Sequence, residues 1–404
     1  MGRVKGLVSV GKERISPSRY NIAMSPHEDD PGAHAAALHE QAIVLRAAGS
    51  FALAERACRE AIAIFEVNEG PRSPNLANVL VEHARVLESL DQLSEGARAA
   101  DRALHILRPL IDIGGVDRAE DAEPNLEPDV EEELVRLAIH AEATRASIIR
   151  AMGDLSQAEG GCRRAIALAE ARLPPDDLLL ATALNDLGVV HKFQGRYAEA
   201  EPLYRRALAI AQGAGHDGDT ATLLHNLGGL AHARGDFETG EPLARRAVEL
   251  RTALLGPDHP DTAADRAAWG GLLEGLGRAT DAERAYTEAL AVFETRLGPR
   301  SLEAAAALTA LAGVQSARGA LDEAERSYRR ALSIREEVLD RGHFDLGLTL
   351  NNLAMLLVDR NARAEAAVLL RRAHEILAAA LGPQHPHTRA VTKNIAALET
   401  PLSA

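Results

Sequence analysis

The chain has 404 residues and a formal net charge of −14, and 46% of its residues are hydrophobic although only 3% are aromatic. Its core must be built from Ala, Leu, Ile and Val, which favours closely packed helices. An acidic chain repels phosphate backbones, so nucleic acid is not expected as a partner. Two cysteines cannot form a disulfide framework. No apolar run reaches the roughly eighteen residues that span a bilayer, so a soluble cytoplasmic protein without a membrane partner is expected.

The N-terminal residues 1–32 carry Gly, Pro, Ser and charge without a helical period, which predicts a disordered lead. The apolar stretch at 6–11 is too short for the core of a signal peptide. Met24 precedes a loop-like segment, so translation that starts at Met24 rather than Met1 is an alternative. Mass spectrometry of the native N-terminus distinguishes the two.

From residue 33 the sequence predicts repeated helix–turn–helix units. Their turn residues are Gly, Asp or Asn, the types that tolerate a left-handed backbone at a helix end. Successive turns are separated by 40 or 42 residues, with the exception of one separation of 62 residues. A fixed period of this size is typical of a solenoid. The eight turn residues are Gly49, Asp91, Gly153, Gly195, Gly235, Gly277, Gly319 and Asn361.

Each unit repeats three packing positions around its turn. A small residue seven positions before the turn and an alanine twelve positions after it predict close helix contact, and an aliphatic residue follows the alanine by three. Trp269, the only Trp, precedes such a small residue and is expected in the core. The alanines are Ala61, Ala103, Ala165, Ala207, Ala247, Ala289, Ala331 and Ala373.

Four segments carry a resemblance to a known family. They are Leu-Asn-Asp-Leu-Gly at 184–188, Gln-Gly-Arg-Tyr at 194–197, Glu-Ala-Glu-Pro-Leu-Tyr-Arg-Arg-Ala-Leu at 199–208 and Gly-Pro-Asp-His-Pro-Asp at 256–261. From about residue 34 to about residue 400 the chain resembles a tetratricopeptide-repeat (TPR) array of the kinesin light chain type. The resemblance implies an all-α, right-handed superhelical solenoid of eight helix–turn–helix repeats plus a C-terminal capping helix. No heptad coiled coil precedes the repeats, so a motor-binding role is not implied, and Ala- and Arg-rich helices in a stand-alone array are more typical of bacteria.

The predicted organisation has five parts. A lead covers 1–32, repeats 1–2 cover 33–109, an acidic insertion covers 110–130, repeats 3–8 cover 131–384, and a cap helix and tail cover 385–404. Residues 110–133 hold ten acids and one base, which predicts a disordered loop. An alternative is that this stretch folds back as an autoinhibitory pseudo-ligand. Deletion of 112–127 then raises affinity for a partner peptide.

Sequence signatures of catalysis are missing. There is no phosphate-binding Gly-rich loop, no His-Glu-x-x-His and no Cys-x-x-Cys pair, so no enzyme, cofactor or metal site is predicted. His259, His343 and His385 recur at one place in the inter-repeat loops, where loop or cap packing is favoured over metal binding. His-Pro-Asp at 259–261 and His-Asp-Gly-Asp at 216–219 resemble co-chaperone and phosphohydrolase fragments but lack supporting context. Cys58 and Cys162 occupy one helix-face position, which predicts buried, inert thiols.

Five Arg-Arg pairs lie on second helices, at 163–164, 205–206, 245–246, 329–330 and 371–372. They form either a basic stripe for phosphate or an acidic partner, or a solvated outer face paired with Glu. The second interpretation is favoured, because exposed pairs such as Glu201 with Arg205 are common and the chain is acidic.

The first helices carry the functional hypothesis. In the resembled family their exposed face lines a concave groove, and groove Asn residues bind the main chain of a peptide. An Asn amide both donates and accepts hydrogen bonds, which suits an extended backbone. The alternative is that these are only solvated polar positions. The predicted groove residues are Arg150, Asn185, Lys192, His225, His232, Thr309, Asn351 and Asn352.

The function expected from this pattern is a non-enzymatic scaffold that holds a segment of a partner protein in the groove. The alternative is a regulatory or sensor subunit that controls a separate effector enzyme through a ligand-dependent change in superhelix shape. Compaction on ligand addition, measured by small-angle scattering, would favour the alternative.

Overall fold

The computed structural model describes residues 30–111 and 127–399. All regular secondary structure in these ranges is helical, and it comprises seventeen helices and no strand. Almost all of the predicted lead and most of the predicted acidic insertion lie outside the described residues. The idea of an autoinhibitory insertion and the alternative start at Met24 therefore stay predictions.

The helices form two compact units, a first unit up to residue 216 and a second unit from residue 217. The first unit contains α1 (Pro31–Ala47), α2 (Phe51–Asn68), α3 (Pro74–Ser89), α4 (Leu93–Leu107), α5 (Pro128–Ala151), α6 (Leu155–Arg172), α7 (Leu178–Phe193) and α8 (Tyr197–Gly213). The second unit contains α9 (Asp217–Arg234), α10 (Phe237–Leu255), α11 (Pro260–Gly275), α12 (Ala279–Arg296), α13 (Leu302–Ala317), α14 (Leu321–Val338), α15 (Phe344–Asp359), α16 (Arg363–Leu381) and α17 (Pro386–Glu399).

Within each unit the helices form consecutive antiparallel pairs joined by short turns. All eight predicted turn residues have positive φ, between 60° and 95°. Asp91 and Asn361 are the only non-glycine residues among the described ones that adopt this conformation, as expected for types whose short side chains tolerate it. The turn prediction is therefore confirmed at every repeat.

The predicted packing positions form the core. All eight repeat alanines are fully buried, and the small residue of each first helix is buried as well. A Cβ placed on Gly188 would lie 2.6 Å from the ring of Tyr204, so this glycine makes room for the aromatic side chain. Trp269 is half-buried against the core, and its Nε1 donates to Glu241 at 3.0 Å. The helix pairs are thus held by small residues that admit a partner's large side chain.

The inter-repeat loop residues act as helix caps. The Nδ1 atoms of His259 and His343 accept hydrogen bonds from the backbone N–H groups of Asp261 and Asp345, at 3.1 and 3.2 Å. At the start of α13, the Ser301 hydroxyl accepts a hydrogen bond from the backbone N–H of Ala304 in the same way. These side chains satisfy amide groups that have no partner inside the helix. The capping interpretation of the repeated histidines is confirmed.

The prediction of a disordered loop over 110–133 is wrong for its last six residues. Helix α5 begins at Pro128, and Asp129 and Glu131 lie in its first turn. Acidic groups are favourable there because the N-terminus of a helix carries partial positive charge. Glu131 also forms an ion pair with Arg172 of α6. Local helix chemistry therefore outweighs the repulsion expected from the charge density.

Candidate functional site

The predicted binding residues occupy equivalent positions on the first helices of both units. We define the first-helix face as the positions three and two before, and one, four and five after, the small residue of each first helix. In the first unit these helices are α1, α3, α5 and α7, and in the second unit α9, α11, α13 and α15. Successive first helices contact one another from α1 to α7 in the first unit and from α9 to α13 in the second unit, so side chains of these neighbouring repeats meet on this face.

In the first unit the side chains of this face bond to one another. Arg46 Nε donates to Glu82 at 2.5 Å, between α1 and α3. Arg85 Nε donates to the hydroxyl of Thr144 at 3.2 Å, between α3 and α5. The Ser147 hydroxyl donates to Glu88 at 2.7 Å. These contacts link successive first helices through polar groups that already have partners.

The three predicted residues of the first unit extend this network. Arg150 lies over the ring of Phe193, 5.6 Å from its centroid, in a cation–π geometry. Asn185 is buried, and its Nδ2 donates to Asp186 Oδ1 at 3.4 Å. Burial lowers the pKa of Lys192. Burial also raises the pKa of Asp186 to about 6, although Arg150 opposes the shift. The face is therefore rich in charge but partly desolvated.

In the second unit the two predicted histidines have structural neighbours. His225 Nδ1 lies 2.8 Å from Asp265, whose other oxygen accepts from Arg251 Nε at 3.0 Å. Arg251 and Asp265 are both buried, so His225 borders an ion pair that is part of the packing. His232 packs edge-on against Phe237, with ring centroids 5.6 Å apart.

The remaining predicted residues, Thr309, Asn351 and Asn352, lie on α13 and α15. Arg335 Nη1 donates to the Thr309 hydroxyl at 2.9 Å. Asn351 Oδ1 accepts from Asn394 of α17 at 2.8 Å, and its Nδ2 donates to Asn352 Oδ1 at 3.3 Å. Asn351 is thus tied to the cap helix, whereas Thr309 and Asn352 line a pocket.

This pocket is open, has a volume of about 440 Å³, and lies between α11, α13 and α15. Its lining includes two carboxylates and no Lys, Arg or His. A Cβ on Gly313 would lie 3.8 Å from the Tyr328 hydroxyl and 3.9 Å from Glu274 Oε1, so the glycine exposes both groups. The lining residues are Glu274, Thr309, Ala310, Gly313, Ser316, Tyr328, Asn352, Met355, Leu356 and Asp359.

Sequence reasoning missed the polar groups that give the pocket its character. Glu274 occupies the repeat position of Lys192 and His232, so the alignment of repeats could have identified it. Asp359 lies one residue beyond that position in its own repeat. Tyr328 shares the repeat position of Tyr204 and Tyr286, and all three side chains are buried. Only its hydroxyl reaches the pocket, and the sequence carries no signal for that.

The other sequence candidates are structural. Cys58 and Cys162 are buried, and burial raises the pKa of the Cys58 thiol to about 12, as predicted for inert thiols. The Arg-Arg pairs meet carboxylates: Arg205 Nη2 lies 2.7 Å from Glu201, and Arg206, Arg330 and Arg372 each pair with the Glu thirty-six residues earlier. The solvated, paired outer face is confirmed.

The described residues contain neither a metal-type cluster nor a membrane-spanning helix. Within 30–111 and 127–399, no three His, Cys, Asp or Glu side chains are grouped so that they could hold a metal ion. None of the helices in those same ranges combines the length and apolar character needed to cross a bilayer.

Family models assign the repeats. Tetratricopeptide repeat models match residues 137–213, 219–295, 264–337 and 347–387, together more than half of the chain. The chain belongs to the tetratricopeptide repeat family. Arrays of this family are typical of protein–protein interaction and are usually non-catalytic. No curated protein sequence matches the chain.

Solved structures share the fold at low identity. A Rap protein complexed with Competence and Sporulation Factor is 18% identical, with a TM-score of 0.55, over 91% of this chain and 98% of that one. A signal transduction ATPase with a tetratricopeptide repeat sensor, from Pyrococcus horikoshii, is 10% identical, with a TM-score of 0.53, over 85% and 49%. TPR-like repeats attributed to a kinesin light chain of Podosopora anserina are 20% identical, with a TM-score of 0.43, over 50% and 96%.

Proposed function

We propose that this TPR chain is a non-enzymatic interaction module that binds an extended segment of a partner protein along its first-helix face. The observation that carries the proposal is the contrast between repeat positions. The small residue of each first helix and the alanine of each second helix recur in every repeat, are buried and serve packing. Positions of the first-helix face differ from repeat to repeat, and in the second unit they surround an open pocket.

The chemistry of the pocket suits a peptide. Asn352 supplies an amide beside the apolar side chains of Met355 and Leu356. The Thr309 hydroxyl already donates to the Ala305 carbonyl and accepts from Arg335, so it can only accept a further hydrogen bond. Polar groups of this kind can bond a main chain, while the apolar surface accommodates side-chain carbon. A preformed face costs the receptor little ordering on binding. The complex recorded for the Rap protein is compatible with binding by this fold, but its 18% identity supports the fold alone.

A displayed library of random twelve-residue peptides, selected on the full chain, tests the proposal. Selected peptides are expected to lose at least tenfold in affinity for Gly313→Leu, because the new side chain fills the pocket. Gly160→Leu is the matched control, since Gly160 lies on second helix α6 with only Arg164 within 4 Å. Equal affinity for both variants would refute the assignment of the face. Recovery of no peptide above background would refute peptide binding.

The alternative of a sensor subunit predicts a different outcome for the same peptides. A selected peptide would then compact the chain in small-angle scattering. Unchanged scattering on saturation with peptide would leave the interaction module as the function.

A further inference from the structure

The pocket of the second unit has unbalanced charge. Glu274 and Asp359 both line it and are both exposed. Among the described residues neither carboxylate has an ion-pair partner, although most acids on the outer face of the same unit do. Two carboxylates in a recess without a base attract a cation.

A second group in the pocket also lacks a partner. Tyr328 is 6% exposed, and among the described residues its hydroxyl makes no hydrogen bond. The corresponding Tyr286 hydroxyl one repeat earlier donates to Glu274 Oε2 at 3.2 Å. That bond orients Glu274 and leaves its Oε1 toward Gly313 and Tyr328. The Tyr328 side chain is buried but lines the pocket, so its hydroxyl can take a hydrogen bond from a ligand there.

We propose that this pocket binds the side chain of a Lys or Arg in the partner segment, so that the second unit selects a basic peptide. The inference rests on the proposed function and names the chemistry of its ligand. The charged head would lie between Glu274 and Asp359, with the Tyr328 hydroxyl as a further acceptor. The alkyl stem would lie along Met355 and Leu356, as long basic side chains do on apolar surfaces.

The geometry favours an organic cation on a peptide over a metal ion. Calcium takes roughly six to eight oxygen ligands, and no group of three metal-ligating side chains exists in the described part of the chain. The volume of about 440 Å³ exceeds what one side chain fills. The remaining space, bordered by Thr309 and Asn352, fits the backbone on either side of the basic residue.

The peptides selected from the random library test the charge preference. We expect a Lys or Arg at one position in most of them, and replacement of that residue by Gln raises Kd about tenfold or more, because charge-assisted hydrogen bonds are lost. Glu274→Gln produces a similar rise, and Tyr328→Phe a rise of about threefold. Glu323→Gln is the control, since it makes the same charge change on exposed second helix α14 and is expected to leave Kd unchanged.

Charge reversal makes the result decisive. Selection on Glu274→Lys is expected to abolish the preference for basic peptides. Peptides that lose affinity for Gly313→Leu but carry no basic preference, or that bind Glu274→Gln as well as the parent chain, would overturn the basic-ligand inference while peptide binding on this face stands. Failure to select any peptide would instead overturn the proposed function itself.

Discussion

The first-helix face differs between the two units although both are built from the same repeat. In the first unit, Arg46 and Arg85 bond to groups on the next helix, and Glu82 and Glu88 have partners. Around the pocket of the second unit, Glu274 accepts a hydrogen bond from the Tyr286 hydroxyl, and neither Glu274 nor Asp359 has an ion-pair partner among the described residues. Polar residues at equivalent repeat positions therefore stabilise the array where they contact each other and are available to a ligand where they do not.

The largest expected difference concerns two glutamates. Glu82 is buried and pairs with Arg46 and Arg85, so Glu82→Gln leaves arginines without a counter-charge. We expect it to lower the free energy of unfolding by about 2–3 kcal/mol. Glu274→Gln changes an exposed group and is expected to stay within about 0.5 kcal/mol. Urea unfolding followed by circular dichroism measures both, and equal effects would remove the distinction between the two regions.

Two glycines of first helices provide a second matched pair. Gly188→Ala forces a methyl group against the Tyr204 ring, whereas Gly313→Ala places one in the open pocket. We expect a loss of about 1–3 kcal/mol at Gly188 from overpacking and a gain of about 0.5–1 kcal/mol at Gly313 from higher helix propensity. Thermal unfolding midpoints should shift in opposite directions. A loss at Gly313 comparable to that at Gly188 would mean that the pocket is closed.

A smaller effect is expected from the protonation of Asp186. Folding raises its pKa from 3.8 to about 6 because the carboxyl is desolvated. The protonated form is therefore favoured in the fold, and its contribution is complete below about pH 4 and lost as the pH rises through 6. Asp186→Asn should stabilise the chain by about 1 kcal/mol at pH 7.5 and by less at pH 5. An identical gain at both pH values would argue that Asp186 stays ionised.

The smallest effect belongs to the outer face. Arg206 pairs with Glu170, but both side chains are nearly half exposed. Arg206→Ala is therefore expected to change the free energy of unfolding by no more than about 0.5 kcal/mol. It should also leave the affinity for selected peptides unchanged. Reduced peptide affinity in this variant would indicate that the peptide binds to the second helices instead.

The fold was predictable from the sequence to the level of single positions. The turn residues, the buried alanines and the capping loops repeat at fixed spacing. Because a position can be compared across eight copies, a deviation in one repeat does not hide the pattern. The prediction of disorder from charge density was wrong at 128–133, where helix α5 begins. This acidic stretch occurs once in the chain, so no other repeat could be compared with it. The fold was therefore predictable where the sequence repeats, and the prediction failed where it does not.

The candidate site was predictable only in part. Thr309 and Asn352, two of the predicted groove residues, line the pocket, whereas Asn351 accepts a hydrogen bond from Asn394 of the cap helix. Whether Glu82 and Glu274 form an ion pair depends on the side chains of neighbouring helices. The periodicity of the sequence does not predict those contacts. Side-chain partnership is a property of the three-dimensional arrangement.

Photo-crosslinking tests whether the first-helix face binds a peptide. A selected peptide that carries a photoreactive residue is bound to the full chain, irradiated and mapped by mass spectrometry. We expect crosslinks within residues 309–316 of α13 and 352–359 of α15, with loss of both in Gly313→Leu. Crosslinks confined to the second helices α12, α14 and α16 would contradict it.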